Sequence, residues 1–260
     1  MITQQTLFTP AKPKDEIAIM RLKEFEPPEG YYVAFSGGKD SVTVLDLVRR
    51  SGVKYDAHYS LTTVDPPELV RFIKTFPDVE THRPKQTMWQ LIQKKTMPPT
   101  RMVRYCCQVL KEGGGAGRQV VVTGVRWAES AKRAKRRMLE SCQKKGENKM
   151  ILNPIVDWTN AEVWEYIKIN KVPYSELYDE GFKRLGCIMC PMQGRKGMLR
   201  DAQRWPKYYN AYLHTFGKML IEKRKKHDMT ITKWNTAQDV MDWWMSDASK
   251  GDPDQTVMFE

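Results

Sequence analysis

The sequence predicts an α/β chain, a doubly wound and mostly parallel sheet followed by a helical C-terminal extension. Three observations carry that prediction. Tyr31 to Phe35 is a short β-prone run that meets Gly37-Gly38, after which Val42, Leu45 and Val48 recur at helical spacing. Further runs of strand character, Tyr55 to Leu61 and Gln119 to Thr123, alternate with helical patterns, as parallel sheets with crossover helices require. Beyond Pro191 the periodicity is helical and the composition basic. The expected division is therefore 1–28 as an N-terminal helix, 29–191 as the α/β domain and 192–260 as the extension.

In chain order, Asp15 to Phe25 spaces Ile17, Ile19, Met20, Leu22 and Phe25 as an amphipathic helix, which Pro27-Pro28 stops. The helix after Gly38 runs to Ser51-Gly52. Pro66-Pro67 opens another, with Leu69, Val70, Phe72, Ile73 and Phe76 as its apolar face. Val79 to His82 reads as a third strand and Thr87 to Lys95 as a helix. Pro98-Pro99 interrupts, and Arg101 to Glu112 resumes helical character. Gly113 to Gly117 is a loop by composition. Lys144 to Lys149 reads as a mobile polar loop and Met150 to Ile155 as a return to the core. Thr159 with Glu162 has the spacing of a capping box. Tyr208 to Lys225 and a segment holding Val240, Met241, Trp243 and Trp244 are the last helices, and Gly251 to Glu260 reads as a disordered end.

With 260 residues, 41% hydrophobic and 28% charged, the composition is that of a globular protein. No apolar run approaches the roughly 20 residues of a membrane span. Met1 to Lys14 has no apolar stretch with a small-residue cleavage site, so a cytoplasmic location is expected. A net charge of +12 points to a polyanionic partner or an anionic substrate. Five cysteines, among them Cys106-Cys107 and Cys187-Ile188-Met189-Cys190, fit a metal or redox site better than a disulfide framework.

The strand-to-helix junction Ser36-Gly37-Gly38-Lys39-Asp40-Ser41 is built for phosphate. The glycines let the backbone approach an anion, the serines offer hydroxyls, the helix N-terminus favours negative charge, and Lys39 adds a positive one. Thr63 and Asp65 lie at the carboxyl end of the second strand, where open α/β sheets bind ligands. Arg126 and Arg133, just past the strand at Gln119 to Thr123 and with Ser130 beside them, make a guanidinium fork suited to phosphate or sulfate, which Glu129 could instead engage in an ion pair. Lys132, Lys135, Arg136 and Arg137 read equally well as a solvated basic face and as a nucleic-acid contact. Cys106, Cys107, Cys187 and Cys190 can hold a 4Fe-4S cluster or a structural zinc, and adjacent cysteines suit one mononuclear ion poorly. Cys142 stands apart from the two pairs.

Ser-Gly-Gly-Lys-Asp-Ser resembles the PP-loop of ATP pyrophosphatases and sulfonucleotide reductases. Gly124-Val125-Arg126-x-x-Glu129-Ser130-x-x-Arg133 resembles the segment with which the phosphoadenosine-phosphosulfate reductase family binds phosphate and sulfate. Asn153-Pro154 to Trp158, Val163-Trp164, Val172-Pro173-Tyr174, Leu177-Tyr178 and Gly181-Phe182 are similar to that family's connector into its last cysteines. The succession covers roughly Glu29 to Pro191. The resemblance implies an adenine nucleotide alpha hydrolase-like fold, and an adenine nucleotide held by Ser36, Gly37, Gly38, Lys39, Asp40, Ser41, Thr63, Asp65, Gly124, Arg126, Ser130 and Arg133. Lys39, Asp40, Arg126 and Arg133 would act in catalysis. The tandem cysteine pattern is similar to that of the iron–sulfur adenylyl-sulfate reductases and implies a 4Fe-4S cluster on Cys106, Cys107, Cys187 and Cys190.

Reductases of this family carry a nucleophilic cysteine in a Glu-Cys-Gly-Leu-His motif, and no cysteine of this sequence follows Cys190. The pattern is thereby closer to that of the iron–sulfur, Dnd-type sulfurtransferases of DNA phosphorothioation. These resemblances imply ATP with Mg²⁺, adenylation of a nucleic-acid acceptor, a sulfur donor such as a cysteine desulfurase, and no membrane. The alternatives are reduction of adenylyl sulfate or its 3′-phosphate to sulfite, and a non-catalytic nucleotide-binding partner.

Overall fold

The structure, a computed structural model, describes residues 12–142, 149–226 and 234–246. The expectations for Lys144 to Asn148 and for Gly251 to Glu260 fall outside those residues. Six strands form one sheet: β1 (Tyr31–Phe35), β2 (Tyr55–Ser60), β3 (Val79–His82), β4 (Val120–Val122), β5 (Leu139–Ser141) and β6 (Met150–Leu152), in the order β3-β2-β1-β4-β6-β5. β1 pairs parallel with β2 and β4, and β4 with β6. β5 is antiparallel to β6, so the sheet is α/β and mostly parallel. Three residues with no alternating pattern, Leu139-Glu140-Ser141, give this edge strand no signal of its own.

The chain condenses into two compact units that are not consecutive segments: residues 1–59, 71–80 and 115–184 form one, and 60–70, 81–114 and 185–260 the other. The sequence division at 28 and 191 follows chain order. The units interleave.

The first unit holds most of the sheet. Central strands buried on both faces need apolar residues throughout, and Tyr31, Tyr32, Val33, Phe35, Val120, Val121 and Val122 supply them. α1 (Lys14–Glu24) and α6 (Asn160–Ile169) both pack on α2 (Lys39–Ser51). Thr159 caps α6 in a full capping box with Glu162. α2 ends at Gly52, whose φ of 73° closes the helix in the left-handed region that glycine occupies without penalty.

The second unit is helical. It contains α4 (Met88–Lys95), α5 (Tyr105–Leu110), α7 (Gly194–Arg204), α8 (Pro206–Lys226) and α9 (Ala237–Met245); α3 (Pro67–Ile73) passes between the two sets of residues in sequence. Its core gathers aromatic side chains. Tyr212 meets Trp89 and Trp244 at centroid distances of 4.8 Å each, and the Trp244 indole donates to the Pro99 carbonyl. α5 is shorter than the expected 101–112, because Thr100 and Val103 close a turn on each other just before it. No helix among the described residues is long and apolar enough to cross a membrane.

Candidate functional site

The phosphate loop follows β1 directly. Gly37 turns at φ 70°, and Gly38 is the N-cap of α2 with no side chain to cap the helix. In the first turn the Lys39 N–H is bonded to the Tyr178 hydroxyl at 2.8 Å and the Ser41 N–H to the Gly38 carbonyl at 2.9 Å, so an anion arriving at this helix N-terminus would share or displace those partners. Ser41 ties the loop from inside: its hydroxyl donates to the Gly38 carbonyl at 2.9 Å and accepts from the Ser36 N–H and hydroxyl at 3.2 Å each. Lys39 is buried, with its ammonium 2.9 Å from one Asp40 carboxylate oxygen.

The other Asp40 oxygen accepts from Arg126 Nε at 2.7 Å. Arg126 is entirely buried, and its remaining nitrogens donate to the Trp158 carbonyl at 3.0 Å and to Asn160 Oδ1 at 2.7 Å. A buried guanidinium demands such acceptors. This differs from the expected fork: Arg126 is spent inside the unit as the brace of Asp40, while Arg133, partly exposed, is ion-paired with Glu129. Ser130 Oγ accepts the Arg133 N–H at 3.2 Å, so it shapes the turn. Gly124 lies against the first turn of α2, where a Cβ would stand 3.1 Å from the Asp40 carbonyl carbon and oxygen. The glycine permits that approach.

Tyr178 is a loop neighbour that sequence reasoning placed only within a family-like stretch. Its hydroxyl accepts the Lys39 N–H at 2.8 Å, and its ring stands edge-on to Trp164 at 5.0 Å. Burial, with Asp40 nearby, pushes the phenol above the ordinary tyrosine range. No local pattern announces this contact, which joins residues 139 positions apart.

The second unit brings the four paired cysteines together. Cys106 and Cys107 share a hydrogen bond that raises the first thiol and lowers the second, to about 6, and the proximity of Cys187 and Cys190 raises Cys106 further. Burial pushes Cys190 up to about 11, with Cys187 and Cys107 adding to it, and burial likewise raises Cys187. Besides Arg104, which also lowers Cys107, the cation beside the thiols is Lys111, one turn beyond Cys107. Burial alone would lower its ammonium, but Cys187, Asp65, Cys107 and Cys190 more than offset that and raise it. The Cys187–Cys190 turn is held by Asp201, a buried carboxylate that accepts the Met189 N–H at 2.8 Å and also the Gln193 amide. Met189 adopts a left-handed φ of 56°, and Tyr212 donates to the Ile188 carbonyl at 3.2 Å.

Thr63 and Asp65 belong to this second unit. Asp65 is buried, accepts the Thr62 N–H at 2.7 Å and acts on Lys111 and Cys187; Thr63 accepts the Met88 N–H at 3.0 Å. Cys142 follows the end of β5 in the first unit, its N–H donating to the Lys149 carbonyl at 2.8 Å.

Residues 30–193 match the family model described as the phosphoadenosine phosphosulfate reductase domain. An uncharacterised protein of Methanocaldococcus jannaschii is 31% identical over 225 residues, which cover 78% of this chain and 54% of that protein. The chain thus spans about half the length of this archaeal relative, and 42% of a second protein from the same organism. An adenosine 5′-phosphosulfate reductase of Oceanobacillus iheyensis is 28% identical over 183 residues, covering 66% of this chain and 75% of the enzyme. The crystal structure of phosphoadenylyl-sulfate reductase from Candida auris, a phosphate complex, superposes with a TM-score of 0.51 at 20% identity, covering 67% of this chain and 87% of that one. With the family match spanning the strand-to-helix phosphate loop and both cysteine pairs, this chain belongs to the phosphoadenosine phosphosulfate reductase family.

Proposed function

We propose that the protein is an iron–sulfur-dependent ATP pyrophosphatase and sulfurtransferase that adenylates a nucleic-acid acceptor for sulfur insertion. The observation that carries this reading over reduction of a sulfonucleotide is the place of Cys142. A reductase needs a thiol to attack sulfur near the phosphate loop. Four of the five cysteines converge in one group. The fifth follows Ser141, which pairs with Met150 at the start of β6, and Met150 in turn pairs with Val120 on β4. That puts Cys142 at the N-terminal edge of the parallel strands, whereas Ser36 leaves their C-terminal edge. About six residue levels separate them along the strands, roughly 20 Å at 3.3 Å per residue. No thiol of the first unit is then in reach of a nucleotide on the loop.

In the proposed reaction the pyrophosphate of ATP lies on the N–H groups at the start of α2 beside Lys39, with Mg²⁺ carried by the nucleotide. An acceptor oxygen attacks the α-phosphorus, the bond to the bridging oxygen breaks, and pyrophosphate leaves. The terminal sulfur of a donor persulfide, such as that of a cysteine desulfurase, then displaces AMP, and an external thiol cleaves the resulting S–S bond to free the thiolated acceptor as a disulfide forms on the donor side. Asp40, braced by Arg126, fixes the Lys39 ammonium where the leaving charge develops.

Cys106, Cys107, Cys187 and Cys190 would hold a 4Fe-4S cluster. What supports this reading is the set of four mutually interacting thiols, two of them hydrogen-bonded, beside the cation Lys111, which would offset the charge of thiolate ligands. Such a cluster supplies iron with affinity for sulfur. The test compares products. Purified without oxygen and given adenylyl sulfate and thioredoxin, the protein is expected to release negligible sulfite, and Cys142→Ser to leave AMP formation from ATP and acceptor unchanged. Robust sulfite release that disappears in Cys142→Ser would instead make it a reductase.

A further inference from the structure

α7, α8 and α9 enclose a groove of about 560 Å³, within the range of small-ligand sites. Its walls come from residues 195–246, all of them beyond the residues 30–193 that match the family model. The family's shared chemistry therefore does not account for it.

The groove has three kinds of surface. Leu199 and Met245 make an apolar wall, with Leu199 43% exposed. Tyr209 presents a half-buried ring. Asp242 offers an exposed carboxylate, which accepts from Gln238 at 2.7 Å, and Arg195 lines the rim. Along α7 the exposed face carries Arg195, Lys196, Arg200 and Arg204, of which Arg200 lies 3.4 Å from the buried Asp201 carboxylate and Arg204 3.2 Å from Glu68, so Arg195 and Lys196 at the N-terminal end are the cations nearest a phosphate approaching the groove. α7 begins four residues after Cys190.

An open groove with apolar side chains, a tyrosine ring and one carboxylate acceptor, bordered by cations at the start of α7, matches a nucleobase joined to phosphates. The ring provides stacking, the carboxylate accepts from a base amino group, and the guanidiniums meet the backbone. A duplex hides its base faces, so only a single strand can use the slot. We propose that this groove binds single-stranded nucleic acid, one base entering against Tyr209 while Arg195 and its neighbours on α7 hold the flanking phosphates. This rests on the reading of the acceptor as nucleic acid, and it makes the α7–α9 extension the element that selects an unpaired strand.

The test is fluorescence anisotropy with a labelled oligodeoxynucleotide, the matching oligoribonucleotide and their duplexes, with ATP binding measured alongside as a check on folding. One or both single strands are expected to bind more tightly than duplex, with affinity falling steeply with salt. Tyr209→Ala should weaken binding about tenfold, and Tyr209→Phe, which keeps the ring, should restore it. Arg195→Glu should weaken binding by a similar factor and flatten the salt dependence. If Tyr209→Ala loses ATP binding as well, Leu199→Asp, on an exposed position, takes its place with the same expectation. Preference for duplex, or no binding of either single strand at low salt, overturns the groove proposal. Unchanged affinity in these variants overturns it too, while leaving nucleic acid as the acceptor. Formation of AMP from ATP, read separately, decides the chemistry whichever way the groove falls.

Discussion

Lys39, Asp40 and Arg126 form a chain of charges in which each member is held by the next, Lys39 by Asp40 at 2.9 Å and Asp40 by Arg126 at 2.7 Å. Lys39→Ala is expected to weaken ATP binding or turnover at least about tenfold, as loss of a charged hydrogen-bond partner does, whereas Lys23→Ala on an exposed helical face leaves both unchanged. Isothermal titration with ATP checks this, and equal effects would mean that the loop is not the phosphate site. Arg126→Ala removes a fully buried guanidinium, the partner of the half-buried Asp40 carboxylate, and the donors to Trp158 and Asn160. A loss of about 3–5 kcal/mol is expected, read as a lowered denaturation midpoint. The loop was legible at this scale because glycine pair, hydroxyls and lysine are contiguous in sequence. The burial of Arg126 was not, since its acceptors include residues 158 and 160, beyond strands β5 and β6 in the chain.

At the scale of elements, two junctions carry the site. Gly124 sits beneath the first turn of α2, and Gly124→Ala would force the Asp40 backbone away. Nucleotide affinity should then fall by more than the modest change in thermal stability implies, measured on the same sample by titration and by thermal unfolding. The Cys187–Cys190 turn depends on Asp201 in a parallel way. Asp201→Ala orphans the buried Met189 N–H, at a cost of about 1–3 kcal/mol, whereas Asp201→Asn keeps an acceptor there. Iron bound per chain after anaerobic reconstitution should drop in the alanine variant and largely recover in the asparagine one. A protein carrying stoichiometric zinc and no iron would exclude the cluster. The helix boundaries at 39–51, 88–95 and 160–169 were readable from glycine and from the threonine caps. β5 was not, because a three-residue edge strand is specified by its neighbour β6 and by nothing in its own pattern.

Across the whole molecule, the alternation of strands and helices and the basic helical extension were visible in the sequence, and the mostly parallel sheet agrees with them. What could not be read was how the chain divides. Thr63 and Asp65 follow β2 and fall in the unit that carries the thiols, because the chain from residue 61 to 70 folds with 81–114 and 185–260. Interleaving of that kind depends on contacts between distant segments, which no local periodicity encodes. The same long-range pairing sets Cys142 at the far edge of the sheet. The most direct measurement follows α-labelled ATP in anaerobic protein supplied with single-stranded nucleic acid and a sulfur donor. The account predicts labelled AMP and an equal amount of pyrophosphate, both abolished by Lys39→Ala; labelled ADP with inorganic phosphate, or intact ATP beside sulfite released from adenylyl sulfate, would contradict it.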